Sequence, residues 1–306
     1  MSMNETAQVA AVITSYNQGS MICEAVESVC AQTKLPQSII IVDDGSKDAA
    51  SLEILKSLEI EKLPIPLKVI YQENAGVSAA RNTGIRMAAP PFVMVLDGDD
   101  KIEPQYIEKV SYILENDPAM VAASSWMRTF GVMDSVVCPT GGKIGAFLSH
   151  NCCPATHIMR KAAFDKSVGY DEAMRSGFED WDFFLGLLET DKDAKIGIVE
   201  SPLINYRTAP ASSNVRSMDK RLELMRVIMD KHSESYHTNM AEALLGIEAI
   251  SNERLYAWEN EMLNTLENGR TLSKKSAAFI QSPTYGDGGM ASAVRIVSAV
   301  KKSFEL

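Results

Sequence analysis

Short apolar runs alternate with helical patterns in the first hundred residues, and this alternation restricts the folds open to the chain. Four runs have the length and apolar character of buried strands, at residues 9–14, 39–42, 67–71 and 92–96. Helical patterns separate them, as in Leu52, Leu55 and Leu58 after the second run. Such alternation is typical of a parallel sheet covered by helices. The sequence therefore predicts an α/β fold.

A polar cluster follows each of the four predicted strands. The clusters are Tyr16–Asn17, Asp43–Asp44, Asn74–Gly76 and Asp97–Asp100. In open α/β sheets, ligands bind outside the carboxyl ends of the strands, so these clusters are expected to form one site. A dinucleotide site is disfavoured, because the first strand is followed by Ser-Tyr-Asn-Gln-Gly and not by the glycine-rich turn of that motif.

The fourth strand runs into three carboxylates within four positions, Asp97, Asp99 and Asp100. Side chains alternate along a strand, so Asp97 and Asp99 are expected on one side, with Gly98 leaving the backbone open between them. Such oxygen ligands suit Mg²⁺ or Mn²⁺ shared with a substrate's phosphates. The alternative is an acidic surface turn without a ligand.

Composition excludes several classes of function. The chain has 306 residues, of which 46% are hydrophobic, enough for one large domain or two smaller ones. A net charge of −10 argues against nucleic acid as the main partner. The five cysteines fit no zinc spacing and are predicted to be reduced thiols. Without a signal peptide or a transmembrane run, the expected location is cytoplasmic, with peripheral contact at the inner face of the membrane as a further expectation.

Helical patterns dominate the chain from about Asp219 onward. We therefore predict two domains, an α/β domain at residues 1–215 and a C-terminal helical region at residues 216–306. The last predicted helix, residues 290–302, carries Val294 and Val297 roughly on one face. It is expected to pack on the catalytic domain or on a second copy in a homo-oligomer, and the alternative is contact with a membrane surface or a lipid-linked acceptor.

Six motifs together resemble family 2 glycosyltransferases of the GT-A fold. The motifs occur in family order at residues 12–17, 31–33, 41–46, 74–84, 96–100 and 179–182. They lie within residues 9–190, nearly two-thirds of the chain. The resemblance implies a Rossmann-like, mixed but mainly parallel sheet with helices on both faces, followed here by a C-terminal helical extension.

The resemblance also implies an activity and a set of partners. Family members of this kind transfer a sugar, with inversion, from a nucleotide diphosphate sugar, usually a UDP-sugar, to an acceptor hydroxyl. The implied cofactor is Mn²⁺ or Mg²⁺, and the implied acceptor is a carbohydrate or a lipid-linked molecule. The expected pathway is synthesis of a surface polysaccharide, a glycolipid or a glycoprotein chain.

Mapped onto this sequence, the family motifs assign residues to the donor. Tyr16, with the loop Thr14–Asn17, would flank the base, and Asp43 or Asp44 would accept a hydrogen bond from the uracil N–H. Arg81 would face the nucleotide. Asp97 would contact the ribose and Asp99 would ligate the metal. The full set of implied donor residues is Thr14, Tyr16, Asn17, Asp43, Asp44, Asn74, Gly76, Arg81, Asp97 and Gly98, with Asp99 and Asp97 as metal ligands.

Asp180 is the candidate catalytic base of the reaction that the resemblance implies. It lies at a predicted helix N-terminus, where the backbone dipole favours the ionised carboxylate. The alternative is that Glu179 and Asp180 only cap the helix. Glu179 is assigned a supporting or acceptor-binding role. Trp181 is assigned either an acceptor contact or a place in the core.

One departure from the family pattern leaves other functions open. Many members carry a histidine two residues after a late Tyr-Arg, whereas here Tyr206-Arg207 is followed by Thr208-Ala209. The missing histidine suits a catalytically weak nucleotide-sugar-binding or scaffold protein. A nucleotidyltransferase is the other alternative, although its glycine-rich loop after the first strand is absent.

Overall fold

A computed structural model describes residues 6–210 and 213–304. The chain divides into two compact units, Met1–Met240 and Ala241–Leu306. This division lies later in the chain than the predicted domain boundary near residue 215, and the assignment of functional domains stays a prediction. The helices Ser213–Met218, Arg221–Lys231 and Ser233–Thr238 thus belong to the first compact unit.

Strands and helices alternate through the first unit as the sequence predicts. The strands are β1 (Val9–Ser15), β2 (Ser38–Asp43), β3 (Leu67–Tyr71), β4 (Phe92–Asp97), β5 (Lys101–Ile102), β6 (Met120–Gly131), β7 (Ser135–Val137), β8 (His157–Arg160) and β9 (Lys195–Thr208). The helices of this unit are α1 (Met21–Cys30), α2 (Ala49–Ile60), α3 (Val77–Met87), α4 (Tyr106–Asn116), α5 (Ile144–Phe147), α6 (Lys161–Lys166), α7 (Glu179–Leu188), α8 (Ser213–Met218), α9 (Arg221–Lys231) and α10 (Ser233–Thr238).

The strands form one mixed sheet in the order β3-β2-β1-β4-β8-β6-β9-β5, with β7 paired to β6. The pairs among β3, β2, β1 and β4 are parallel, so their carboxyl ends meet at one edge. β8 runs antiparallel to β4 and to β6, and β9 runs parallel to β6. The predicted α/β fold is therefore confirmed, and the predicted site clusters lie at the shared edge.

Helices cover the two faces of the sheet because strand side chains alternate. Ala11 and Ile13 of β1 belong to a buried core that also contains Ile22 and Leu55 from α1 and α2. Val12 points to the opposite face, where α3 packs against β1 and β2. Gly84 permits this close approach, because a Cβ there would lie 2.3 Å from Cγ1 of Val12.

Two features of the late strands differ from the sequence interpretation. The predicted separate strands at residues 196–199 and 203–207 are one strand, β9. Its pairing with β6 shifts register beside Pro202, which has no amide hydrogen to donate to the ladder. The short strands β5 and β7 were not predicted, because two or three residues carry no readable alternation.

The second unit is helical. It contains α11 (Met240–Glu267), which begins at the unit boundary, α12 (Lys274–Gln281) and α13 (Gly289–Phe304). Glu259 on α11 accepts hydrogen bonds from the guanidinium of Arg295 at 2.8 and 2.7 Å and from Ser292 at 2.8 Å. Within the described residues, no helix has the length and apolar character needed to cross a membrane. The cytoplasmic location and the homo-oligomer stay predictions.

We expect Gly84→Ala to destabilise the first unit, because the new methyl group would collide with the buried, branched side chain of Val12. Overpacking of this kind costs about 1–3 kcal/mol in the free energy of unfolding. Gly186→Ala is the matched control, since that helical glycine has no atom within 4 Å of a built Cβ. Urea unfolding of both variants checks the prediction. Equal stability of Gly84→Ala and wild type would contradict the proposed packing of α3.

Candidate active site

The acidic residues Asp97–Asp100 at the end of β4, called the acidic tip below, lie beside the end of β1. Thr14 is paired with Asp97 in the parallel register, and the Thr14 hydroxyl donates to Asp97 Oδ1 at 3.1 Å. Gly98 follows at a point of close approach, because a Cβ at this residue would lie 2.5 Å from the Thr14 carbonyl oxygen. A larger residue at position 98 would therefore push the acidic tip away from β1.

The two aspartates after β2 have different surroundings. Asp44 accepts from the backbone amides of Ala75 and Gly76, both at 2.8 Å, and from the Gln72 side chain at 2.7 Å. It therefore fastens the loop that precedes α3. Asp43 accepts from the hydroxyl and the amide of Ser46, at 2.5 and 3.1 Å. Both side chains are buried.

The loop after β1 contains Asn17, whose side chain holds a neighbouring loop, and Tyr16, whose ring is exposed. Asn17 adopts a left-handed backbone conformation, and its Oδ1 accepts from the amide of Lys47 at 2.8 Å. Asn74 likewise donates to the backbone carbonyl of Asp44 at 2.9 Å. Tyr16 is 45% exposed, so its ring is available to a ligand. The side chains of Asn17 and Asn74 therefore hold the loops in place, and the ring of Tyr16 stays accessible to a ligand.

Arg81 connects the acidic tip to α7. The side chain is only 2% exposed, and Nη2 donates to both carboxylate oxygens of Asp97 at 2.9 and 3.0 Å. Nη1 donates to Asp180 Oδ1 at 2.6 Å and lies 3.6 Å from Glu179 Oε1. The guanidinium, which we expected to face the nucleotide, therefore points at three carboxylates.

The first turn of α7 presents Glu179 and Asp180 toward Arg81. Phe178 occupies the N-cap position in a left-handed conformation and makes no side-chain capping hydrogen bond, and Glu179 and Asp180 are the first two residues of the helix itself. The capping alternative for Glu179 and Asp180 is therefore not what the structure shows. Asp180 also lies in the electrostatic field of the helix N-terminus.

Burial governs the electrostatics of this cluster. It raises the pKa of Asp180 to about 7, with Arg81 opposing the rise and Glu179 and Asp97 adding to it. Burial also disfavours the charged Arg81 guanidinium, but Asp180 and Asp97 outweigh that penalty and raise its pKa further. The cluster therefore contains a fixed cation and a carboxylate that changes protonation near neutral pH.

The acidic tip is held from the other side by Arg207 of β9. The Arg207 amide donates to Asp100 Oδ1 at 2.7 Å, and Nε donates to the Asp99 carbonyl at 2.9 Å. Burial, with a further contribution from Asp97, raises the pKa of Asp99 and of Asp100. In the sequence, Arg207 stands out only as part of a family motif. Its contact with the acidic tip could not be predicted, because it depends on the pairing of strands that are distant in the chain.

The residues at the tip fit a shared divalent cation better than a fully protein-bound one. In the part of the chain that the structure describes, no three His, Cys, Asp or Glu side chains form a metal cluster. Both oxygens of Asp97 are engaged by Arg81, which leaves Asp99 as the better placed ligand. A nearby cation would relieve the repulsion between Asp97 and Asp99, and one or two carboxylates plus phosphates commonly hold Mg²⁺.

Trp181 and its neighbours form the core behind the cluster. Trp181 is 2% exposed, and its Nε1 donates to the Phe147 carbonyl at 2.6 Å. This placement favours core packing over acceptor contact. Tyr170 was not predicted, but its ring stacks on Phe183 at 3.9 Å between centroids and lies 5.2 Å from the Arg81 guanidinium carbon.

An ionic network joins α7 to α9 and the turn that follows α9. Asp182 is buried and contacts Lys231 Nζ at 2.7 Å and His232 Nε2 at 3.1 Å. His232 Nδ1 lies 3.0 Å from Glu189. Burial opposes protonation of His232, but its hydrogen bonds to Asp182 and Glu189 prevail and raise its pKa to about 9.

Comparisons with known proteins decide the family. The model of glycosyl transferase family 2 matches residues 10–167, more than half of the chain. The chain belongs to glycosyltransferase family 2. It is accordingly a transferase enzyme.

A Bacillus subtilis relative, the uncharacterized glycosyltransferase YwdF, is 28% identical over 236 residues, covering 74% of this chain and 84% of YwdF. The putative glycosyltransferase EpsH from B. subtilis is 37% identical over 139 residues, 44% of this chain and 40% of EpsH.

Solved structures show the same fold. The S. aureus TarS fragment 1–349 in complex with UDP-GlcNAc aligns over 98% of this chain and 92% of that chain. The TM-score is 0.61 and the sequence identity is 16%. The predicted GT-A type fold and the predicted family are both confirmed by these comparisons.

We predict that His232→Gln lowers the free energy of unfolding by about 1–3 kcal/mol at pH 6, because hydrogen bonds of a buried charged group are lost. The pKa of His232 is raised from 6.5 to about 9, so its stabilising contribution is complete below pH 6.5 and is lost as the pH rises through 9. Urea unfolding at pH 6 and at pH 9.5 measures the difference, and the exposed His237→Gln is the control. A cost independent of pH would contradict the assignment.

Proposed function

We propose that the enzyme moves a sugar from a UDP-sugar to an acceptor hydroxyl with inversion, and that Asp180 is the base. The observation that carries the proposal is the buried Arg81 guanidinium, which holds Asp97 at the end of β4 and Asp180 on α7. One side chain therefore fixes the separation between the implied donor carboxylate and the implied base. The fold shared with TarS, solved in complex with UDP-GlcNAc, supports a UDP-linked donor.

The donor base is assigned to the ring of Tyr16 and the carboxylate of Asp43. Tyr16 is exposed and offers an aromatic face for stacking. Asp43 is preferred over Asp44 as the acceptor from the uracil N–H, because Asp44 already accepts from two loop amides and the Gln72 side chain. Asp97 would contact the ribose from its position beside Thr14.

Asp99 is assigned as the principal ligand of Mn²⁺ or Mg²⁺. A divalent cation bound there would neutralise the charge that develops on the departing nucleoside diphosphate. Arg207 supports this role by holding the backbone of the tip through the Asp99 carbonyl. The Arg207 amide also donates to Asp100 Oδ1, so β9 holds the acidic tip although the late histidine of many family members is absent.

The chemical step is a single displacement. The acceptor oxygen attacks the anomeric carbon, the bond from that carbon to the diphosphate oxygen breaks, UDP leaves, and the acceptor proton passes to Asp180. One displacement inverts the anomeric configuration. A base with a pKa near 7 combines an ionised fraction at neutral pH with enough basicity to take the proton. Glu179 is assigned a supporting role beside Arg81.

Asp180→Asn and Asp99→Asn are expected to lose different properties. Asp180→Asn should retain binding of UDP with Mn²⁺ but release UDP from a UDP-sugar about 10²–10⁴-fold more slowly, because the proton acceptor is removed. Asp99→Asn should lose the Mn²⁺-dependent part of UDP binding. Calorimetric titration and UDP release from UDP-GlcNAc and other UDP-sugars supply the two readouts.

The control for both variants is Asp193→Asn, an exposed carboxylate in the turn before β9. It should match wild type in both readouts. An Asp180→Asn enzyme with near-normal UDP release would remove Asp180 as the base. UDP binding without any turnover of UDP-sugars by wild type, with every donor tried, would instead favour the nucleotide-sugar-binding or scaffold alternative.

A further inference from the structure

The ring of Tyr170 lies between Arg81 and the helix that carries the proposed base. Tyr170 is buried in the loop between α6 and α7, and its ring stacks on Phe183 with 3.9 Å between centroids and 9° between planes. Phe183 follows Asp180 by three residues on α7. The guanidinium carbon of Arg81 lies over the Tyr170 ring, 5.2 Å from its centroid. A cation at this distance from an aromatic face is attracted to it, and more strongly where water is excluded.

Hydrogen bonds fix only part of the Arg81 guanidinium. Nη1 donates to Asp180 and Nη2 donates to Asp97. Nε is buried and has no hydrogen-bond partner within the described residues. The two terminal nitrogens are thus held by carboxylates, whereas the side of the group near Nε is not hydrogen-bonded. Contact with the Tyr170 ring restrains the guanidinium where these hydrogen bonds do not.

The backbone of Tyr170 is fixed by Asn82, the chain neighbour of Arg81 on α3. The buried Asn82 side chain donates to the Tyr170 carbonyl at 2.9 Å and accepts from the Tyr170 amide at 3.0 Å. Gly169 has a left-handed backbone conformation, and a Cβ there would lie only 2.9 Å from Asn82 Oδ1. One turn of α3 therefore supplies both the cation over the ring and the amide group that holds the backbone of Tyr170.

The ring of Tyr170, and not its hydroxyl, makes these contacts. The hydroxyl is buried and has no hydrogen-bond partner in the part of the chain that the structure describes. Burial raises the pKa of Tyr170 well above 10, so the hydroxyl keeps its proton near neutral pH. A phenylalanine at this position would preserve the stacking on Phe183 and the aromatic face under Arg81.

Asp180 depends on Arg81 more than Asp97 does. Asp97 also accepts a hydrogen bond from the Thr14 hydroxyl at 3.1 Å, and it is the last residue of a strand paired to β1. Among the described residues, the Asp180 side chain accepts from Arg81 alone, at 2.6 Å. A displaced guanidinium would therefore release Asp180 while Thr14 still held Asp97.

We propose that Tyr170 is a positioning residue for the transfer reaction, because its ring holds the Arg81 guanidinium against Asp180. The inference rests on the proposed function, in which Asp180 receives the acceptor proton. Tyr170 acts on the reaction only through Arg81. A small displacement of a reacting group can lower the rate about 10²-fold, so loss of the ring should be visible in kcat.

The test compares substitutions that remove the ring with one that keeps it. Tyr170→Leu and Tyr170→Met retain an apolar side chain against Phe183, and both should lower kcat for UDP release from the fastest UDP-sugar at least about tenfold. Their calorimetric affinity for UDP with Mn²⁺ should equal that of wild type. Tyr170→Phe should retain the wild-type kcat. The control is Tyr112→Leu, which changes a tyrosine of α4 that is 65% exposed.

A double-mutant cycle separates positioning of the base from a merely structural role. In an Asp180→Asn background, Tyr170→Leu should change kcat little, because the group that the ring positions is already lost. A structural role would lower kcat by the same factor in both backgrounds. Urea unfolding of the same four proteins gives a readout that needs no activity. The two substitutions disturb the contacts of one guanidinium, so their costs in the free energy of unfolding should not be additive.

Three outcomes would overturn the inference. They are an unchanged kcat in both Tyr170→Leu and Tyr170→Met, an equal loss of kcat with and without Asp180, and a loss in Tyr170→Phe as large as that in Tyr170→Leu. If wild type turns over no UDP-sugar, the unfolding cycle decides, and additive costs reject the inference. Near-normal kcat in Asp180→Asn alone would reject the base assignment, so failure of the proposed function is distinguishable from failure of this inference.

Discussion

The site depends on one buried cation. Arg81 is almost inaccessible to solvent, and its ion pairs with Asp97 and Asp180 join residues 16 and 99 positions away in the chain. Charges in such a place are stable only when they are paired and hydrogen-bonded. Loss of Arg81 would leave two partly buried carboxylates without their cation, so the acidic tip and the first turn of α7 hold their positions through the same side chain.

The same arrangement explains how two carboxylates near one cation can have different tasks. Both oxygens of Asp97 are bound by Nη2, while Asp180 meets Nη1 through one oxygen. Burial raises the pKa of Asp180 to about 7 even though Arg81 opposes the rise. Environment, and not residue type, therefore separates a donor-side carboxylate from a base.

The parallel part of the fold and the position of the site followed from local sequence patterns. Apolar runs such as residues 92–96 predict strands, and the carboxyl ends of parallel strands necessarily meet. Thr14 and Asp97 lie at this edge as the rule requires, whereas their direct contact depends on the pairing of β1 with β4. The acidic tip could also be recognised from the sequence, because its residues are adjacent in the chain.

Contacts between distant segments could not be predicted from local sequence patterns. The partners of Arg81 on α7, the clamp of Arg207 on the tip and the anchoring of α9 by Asp182 all depend on how elements pack. Helical spacing cannot distinguish Trp181 as a core residue from Trp181 as an acceptor contact, since both require an apolar helix face. The place of the Tyr170 ring against Arg81 likewise depends on contacts between segments that are distant in the chain.

The most direct test of the central claim is the pH dependence of UDP release from UDP-GlcNAc, or from the UDP-sugar that is turned over fastest. A base must be ionised to accept a proton, so kcat/KM should rise with pH and level off above an apparent pKa near 7, the value of Asp180 when Arg81 is in place. Asp180→Asn should lack this rise in its residual rate. A kcat/KM that is constant from pH 5 to 8, or the same rise in Asp180→Asn, would contradict the account.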